Sequence, residues 1–172
     1  MALKRLTKEL NQYQKEPSPA VIRLEPVGDD LSHLTATLKG PEDTSYEGRR
    51  TLAKRRQRHC TMLTYVAGGQ WDLSIAVPSS YPNTPPEIRF QTPCCHPNVS
   101  FKTGEICLDL LKTSWTPAYG IVSTLEAVQQ LLGAGGEPDS PLNIDIAKLL
   151  REGDYMGAES LVRLYTRMYA IR

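Results

Sequence analysis

Three side chains in one short stretch have the types and spacing for acyl transfer. Cys107 stands two residues before Asp109 and nine after Asn98, with Gly104 placed to turn the chain between them. A thiolate can carry an acyl group, and an amide can donate to the oxyanion formed when the acyl carbon is attacked. A nearby carboxylate can orient the incoming nucleophile. The competing reading of Ile106-Cys107-Leu108 is a cysteine packed as a small hydrophobe in an apolar run. His96-Pro97-Asn98 opens the stretch and Trp115-Thr116-Pro117-Ala118 closes it.

The elements that must hold these residues read as an α+β fold. Leu3, Leu6, Leu10 and Tyr13 recur at steps of three and four and predict an amphipathic helix over residues 2–15. Lys4, Arg5, Lys8 and Glu9 fall on its other faces, and Pro17 and Pro19 end it. β-prone runs at 21–24 and 34–38 flank a turn at Gly28. Alternation over 71–77 predicts a third strand and 88–90 a fourth, which makes a four-stranded antiparallel meander. Three C-terminal helices follow. One is an apolar core helix over 121–132, and one opens at Ser140-Pro141-Leu142-Asn143 and runs through Leu150. The last spans about 154–169, with Leu161, Leu164, Tyr165 and Met168 on one stripe.

Bulk properties narrow the class. At 172 residues, 40% hydrophobic and 23% charged, the chain has the makings of one globular domain. It has no run of 18 apolar residues and no apolar signal core after Met1, so cytosolic synthesis is expected. Cys60, Cys94, Cys95 and Cys107 form no Cys-x-x-Cys pair or zinc comb. Free thiols in a reducing compartment, with no metal and no nucleic-acid partner, are the expectation.

Residues 49–69 stand apart from this plan. They carry six basic side chains and no acidic one; without them the formal charge falls from +1 to −5. The segment separates strands 2 and 3. It reads as a basic loop that meets phosphate groups of lipid or RNA, as a solvated hairpin extension, or as a translated intron of 63 nucleotides.

Taken in order, Gly40-Pro41, Tyr46-Glu47-Gly48, Tyr81-Pro82, Pro85-Pro86, His96-Pro97-Asn98, Gly104, Cys107 with Asp109, and Trp115-Thr116-Pro117 resemble the signature of the ubiquitin-conjugating enzymes. The resemblance spans nearly the whole chain apart from 49–69. It implies that Cys107 accepts the C-terminal glycine of ubiquitin as a thioester from an activating enzyme and passes it to a target amine. The activating enzyme uses the ATP, and this chain would bind no cofactor. Asn98 would hold the active-site loop and stabilise the oxyanion, or serve only as a turn amide. His96, Pro97 and Trp115 would be structural at the site. Asp109 and Asp139 would orient the acceptor lysine, and Ser140 stands where many relatives carry an aspartate. Arg5 and Lys8 on the first helix would meet the activating enzyme and ligases. Pro82, Asn83, Thr116, Pro117 and Ala118 would form the two loops offered to RING-type ligases. Asn83 replaces a phenylalanine frequent in the family, which buries less apolar surface in a ligase.

Two details are similar to the peroxisomal, peroxin-group branch: the long Asn98-to-Cys107 loop, and the tail over 138–145 and 151–154. That branch implies a peripheral place at the cytosolic face of the peroxisomal membrane, held by a membrane-anchored partner. Its target would be the cycling import receptor, modified on cysteine as well as lysine. Two other readings stay open. One is a noncatalytic ubiquitin- or ligase-binding variant of the same fold; the other is a thiol hydrolase built on Cys107, His96 and Asp109.

Overall fold

The computed structural model describes residues 2–47, 68–134, 136 and 141–171. Helix α1 (Ala2–Lys15) buries Leu6 and half-buries Leu10 and Tyr13, while Leu3 at the start of the stripe is 61% exposed. Tyr13 Oη donates to the Val21 carbonyl at 2.9 Å, which pins the helix to the first strand. Four antiparallel strands follow in sequence order: β1 (Val21–Val27), β2 (Asp30–Lys39), β3 (Gln70–Ala76) and β4 (Glu87–Phe90). The β1–β2 pairing runs further toward the turn than the β-prone runs predict. Val27 pairs with Asp30 across the two residues Gly28 and Asp29, so Pro26 and Val27 join the strand.

Alternation in β3 puts Trp71, Leu73 and Ile75 on the buried face. The β2 register sets them opposite Leu38, Ala36 and Leu34. Against this face lies α2 (Ile121–Gly133), whose Ile121, Leu125, Val128 and Leu132 are fully buried at helical spacing. Each such side chain contributes about 1.5–3 kcal/mol of burial. Gln129 Nε2 donates to the Lys39 carbonyl at 2.9 Å and locks the helix to the end of β2.

Two short helices complete the chain, α3 (Ile144–Arg151) and α4 (Tyr155–Tyr165), with a π-helical turn at Thr166–Ala170. Both depart from the sequence expectation. Helix α3 begins at Ile144 and not near Pro141, because the Leu142 and Asn143 N–H groups are spent on the Pro97 carbonyl, at 2.8 and 3.0 Å. The inward stripe of α4 is Ala158, Val162, Thr166 and Ala170, with Leu161 and Tyr165 partly buried beside it. Leu164 and Met168, expected on the packed stripe, are more than half exposed. The π turn shifts the register that an even 3.6-residue count assumes from Thr166 onward, where Met168 lies.

No helix among the described residues is long and apolar enough to cross a membrane. The segment 49–69 lies outside the described residues except for Gly68 and Gly69. Its two flanks meet: Gly69 N donates to the Glu47 carbonyl at 3.0 Å, and Gly40 N donates to the Gly69 carbonyl at 2.8 Å.

Candidate active site

Beyond β4 the chain crosses the end of the sheet without regular structure, and its backbone hydrogen bonds fix Cys107. Val99 and Ile106 form an isolated antiparallel bridge, and the Cys107 N–H donates to the Asn98 carbonyl at 2.8 Å. Asn98 and Cys107 are therefore directly opposite one another, the arrangement in which paired side chains share one face of a ladder about 4.5–5.5 Å apart at Cβ. Gly104, as the spacing predicts, makes the turn between them. Its φ is +68°, and a Cβ there would fall 1.9 Å from the Phe90 carbonyl oxygen, so only glycine fits.

The tripeptide before the bridge is buried and braced from several sides. His96 is 1% and Asn98 2% exposed. Tyr46 Oη donates to the Cys95 carbonyl at 2.7 Å, and the Pro97 carbonyl takes the two N–H groups that precede α3. His96 Nδ1 accepts from the Asn98 N–H at 3.1 Å, which leaves the ring proton on Nε2. That nitrogen is buried and makes no hydrogen bond of ordinary geometry among the described residues. Burial holds the imidazole neutral and pulls its pKa down to about 4, weakly opposed by the Leu131 backbone. A ring so enclosed cannot exchange protons with substrate, so the hydrolase reading loses its base. Pro97 works through its carbonyl.

Gly136 covers this loop and was not singled out from sequence. Its φ is +74°, and a Cβ would lie 2.5 Å from Asn98 Oδ1 and 2.6 Å from His96 Cε1. The Gly135-Gly136 pair signals only a helix end; its contact with the tripeptide is tertiary.

Three described cysteines are free thiols, and they differ sharply. Cys94 and Cys95 are buried; desolvation raises both pKa values, that of Cys95 to about 12 with help from Asp145. Cys107 is partly exposed. It is not the packed hydrophobe of the competing sequence reading. Asp109 is exposed and opens a 3₁₀ turn, Asp109–Leu111, whose carbonyl at Asp109 accepts from Lys112 N and Ser114 N. That turn brings Lys112 Nζ to 3.9 Å from Cys107 Sγ, a contact sequence spacing did not reveal. Asp139 and Ser140 lie outside the described residues.

Of the remaining sequence-predicted residues, those of the 82–83 and 116–118 loops are tied together, and Arg5 of α1 reaches the second loop. Trp115 Nε1 donates to the Pro82 carbonyl at 2.8 Å and joins the 82–83 loop to the 116–118 loop. Its ring sits between Tyr81 and Tyr119, with centroids 6.1 and 6.0 Å away. Asn83, Thr116, Pro117 and Ala118 are exposed, Pro82 partly so. Arg5 Nη2 reaches the Pro117 and Tyr119 carbonyls, each at 3.3 Å, so this cation is partly committed within the chain, whereas Lys8 is exposed.

Glu9 corrects the sequence expectation most. Assigned to an outward face, its side chain is only 15% exposed. Its carboxylate accepts from Tyr81 Oη at 2.8 and 2.9 Å, from the Ile121 N–H at 2.8 Å and from Arg5 Nε. It thereby caps α2 from another helix, meeting an orphan N–H with a negative charge at the positive end of the dipole. Burial, then the bond to Glu9, raises the Tyr81 pKa.

Known proteins show the same plan. The family model for ubiquitin-conjugating enzymes matches residues 60–165. A Dictyostelium discoideum protein, ubiquitin-conjugating enzyme E2 pex4, is 42% identical over 165 residues, covering 96% of this chain and 97% of its own. Arabidopsis thaliana PEROXIN-4 is 41% identical over 169 residues, covering 97% and 94%. Among solved structures, the H. polymorpha ubiquitin conjugating enzyme Pex4p, crystallised with the soluble domain of Pex22p, superposes with a TM-score of 0.82. It is 32% identical and covers 99% of each chain. A Toxoplasma gondii ubiquitin-conjugating domain gives 0.77 at the same identity, covering 98% of each. A part-exposed thiol paired to a buried asparagine, on a scaffold shared with these relatives over almost its full length, places the chain in the ubiquitin-conjugating enzyme family.

Proposed function

We propose that Cys107 is the residue of this ubiquitin-conjugating enzyme that carries ubiquitin. Its thiolate attacks the thioester presented by the activating enzyme; the new C–S bond forms on Cys107 as the old one breaks, and the activating enzyme's thiol leaves. A target amine, or a target thiol, then attacks the same carbonyl carbon and Cys107 departs. The carrying observation is that Cys107 alone among the described cysteines reaches the surface, held opposite Asn98 by the main chain. Asn98 supplies an amide donor to the tetrahedral oxyanion. Packed under Gly136 and over His96, it is positioned before the reaction begins, and one such donor is worth about 3 kcal/mol. Asp109, exposed on the turn after Cys107, orients the acceptor; Asp139 and Ser140 share that task by the family pattern alone. The chain needs no cofactor of its own, since the activating enzyme consumes the ATP.

Arg5, Lys8, Pro82, Asn83, Thr116, Pro117 and Ala118 form the face offered to the activating enzyme and to RING-type ligases. The pex4 and peroxin relatives support work at the cytosolic face of the peroxisome. The H. polymorpha relative in complex with the soluble domain of Pex22p supports a comparable membrane-anchored partner here, with the import receptor as target.

The test is loading with activating enzyme, ATP and ubiquitin, read on a nonreducing gel. A band larger by one ubiquitin, removed by reductant and absent in Cys107→Ala, is expected. No such band would leave the noncatalytic variant of the fold as the reading. The peroxisomal assignment is tested by discharge of the loaded enzyme onto the purified import receptor against an unrelated lysine-rich protein; equal discharge onto both removes it.

A further inference from the structure

The link between α1 and β1 is short and built around one hydroxyl. Residues 17 and 18 lie in no regular element; Pro17 and Pro19 are exposed, and Ser18 between them is half-buried. Pro19 holds Ser18 to extended backbone, and the Ser18 carbonyl accepts from the Val21 N–H at 3.2 Å in the turn that opens β1. Ser18 Oγ donates to Glu126 Oε1 of α2 at 2.8 Å and accepts from the Ala20 N–H at 3.3 Å. One side chain thus ties the end of α1 and the start of β1 to the middle of α2. Thr84-Pro85, Thr92-Pro93 and Thr116-Pro117 share the hydroxyl-then-proline form, but among the described residues none of their hydroxyls meets a carboxylate.

We propose that Ser18 is a phosphorylation site for a proline-directed kinase, and that its phosphate releases α1 from α2. A hydroxyl followed by proline in an extended, surface-facing link is the form such kinases accept. Ser18 Oγ attacks the γ-phosphorus of ATP, and a new O–P bond forms as the bond to the leaving ADP breaks. The electron pair of the broken bond departs with ADP, and the serine proton passes to the kinase's base. The phosphate then stands against Glu126, where the serine proton now bridges two oxygens. It brings a charge of about −1.5 to −2 near neutral pH and no donor, so attraction becomes repulsion. It also sits just past Lys15, the last residue of α1, at the negative end of the helix dipole. Lys15 is exposed and is the nearest cation along the chain; a phosphate drawn out to it leaves Glu126 behind. The bond between α1 and α2 is lost either way. Because α1 carries Arg5 and Lys8, its release also misplaces the face offered to the activating enzyme; that consequence, unlike the phosphorylation, rests on the function proposed above.

The experiment treats the purified full chain with ATP and, in turn, a cyclin-dependent and a mitogen-activated kinase. Peptide mapping by mass spectrometry should find phosphate on Ser18, and none at that position in Ser18→Ala. With the kinase removed, amide hydrogen exchange over residues 10–21 should run about tenfold faster in the phosphorylated chain than in the unmodified one. Ser18→Ala loses the hydroxyl bond without adding charge and should show a smaller gain. Glu126→Gln keeps the side chain's size and can turn an NH₂ donor to the phosphate, so phosphorylation of that variant should change exchange by less than about twofold. Phosphate placed solely on other residues, equal exchange with and without it, an equal gain in Ser18→Ala, or the same acceleration in Glu126→Gln each overturns the proposal. In loading with activating enzyme and ubiquitin, the phosphorylated chain should form its reductant-sensitive band about fivefold more slowly, and equal rates overturn the effect on docking. A chain that never forms that band, phosphorylated or not, overturns the carrier assignment of Cys107, while hydrogen exchange still decides on Ser18.

Discussion

Replacing Glu9 by glutamine keeps the side chain's size and removes its charge, and the surroundings set the cost. Two donors reach this carboxylate from outside its own helix, Tyr81 Oη and the Ile121 N–H, with Arg5 as a third from within it. Hydrogen bonds to a charged partner are worth about 1.5–3 kcal/mol each, and a glutamine retains one acceptor oxygen while turning an NH₂ toward a donor. The Arg5 pair is part-exposed and adds no more than about 0.5 kcal/mol. The expected loss is therefore about 3 kcal/mol. For a chain of this length that lowers Tm by about 6–12 °C. Thermal and urea unfolding followed by circular dichroism measure it, with exposed Lys8→Gln as the control that should stay within about 0.5 kcal/mol. A double cycle with Tyr81→Phe should return a coupling above about 0.5 kcal/mol. If Glu9→Gln melts with wild type, Glu9 is not the joint between α1, α2 and the Tyr81 loop, and the reading of this region is wrong.

Other expectations follow from the same geometry. Gly136→Ala forces a Cβ onto Asn98 and His96 at a positive φ, so stability falls by about 2–3 kcal/mol and discharge of the loaded enzyme slows, measured by urea unfolding and a lysine chase. Asn98→Ala still forms the thioester but discharges it about 10²–10³-fold more slowly; equal discharge rates would remove the oxyanion role. Deleting residues 49–67 leaves Glu47-Gly48-Gly68-Gly69, in which the existing 3.0 Å bond from Gly69 N to the Glu47 carbonyl becomes that of a four-residue turn. The variant should load normally and be more stable by about 1–2 kcal/mol, from the shorter loop; an insoluble or inactive product refutes this. Between pH 6.5 and 4 the unfolded chain takes up a proton that the buried His96 refuses, so stability drops as pH falls, by up to about 3 kcal/mol from this group. Urea midpoints at pH 7 and 4.5 should show it, and His96→Asn should show a slope shallower by that amount.

Most of the scaffold was legible because its signals are local. The α1 stripe, the Gly28 turn, the alternation of β3 and the apolar run of α2 each sit in a window shorter than 15 residues. The family pattern implied that Asn98 and Cys107 serve one site but not the main-chain pairing that sets them opposite each other, while the Gly104 turn that permits it was readable directly. What escaped depends on contacts between distant segments. Glu9 looks like any polar residue on a helix until Tyr81 and Ile121 converge on it from more than seventy residues away. Leu164 and Met168 fit an apolar stripe by spacing, but the face that packs inward is the neighbouring one of Ala158, Val162, Thr166 and Ala170, chosen by tertiary contact. Lys112 carries no motif; its contact with the sulfur arises from a 3₁₀ turn that folds it back.

The indole bond from Trp115 to the Pro82 carbonyl has one more effect. It welds two surface loops from distant parts of the chain into a single plate before any visitor arrives. A visiting protein that grips both loops finds them already arranged, so little of its contact energy is lost in immobilising them, and brief, rapidly reversible visits suffice. An enzyme that must hand its cargo between successive partners gains from such a ready-made landing face.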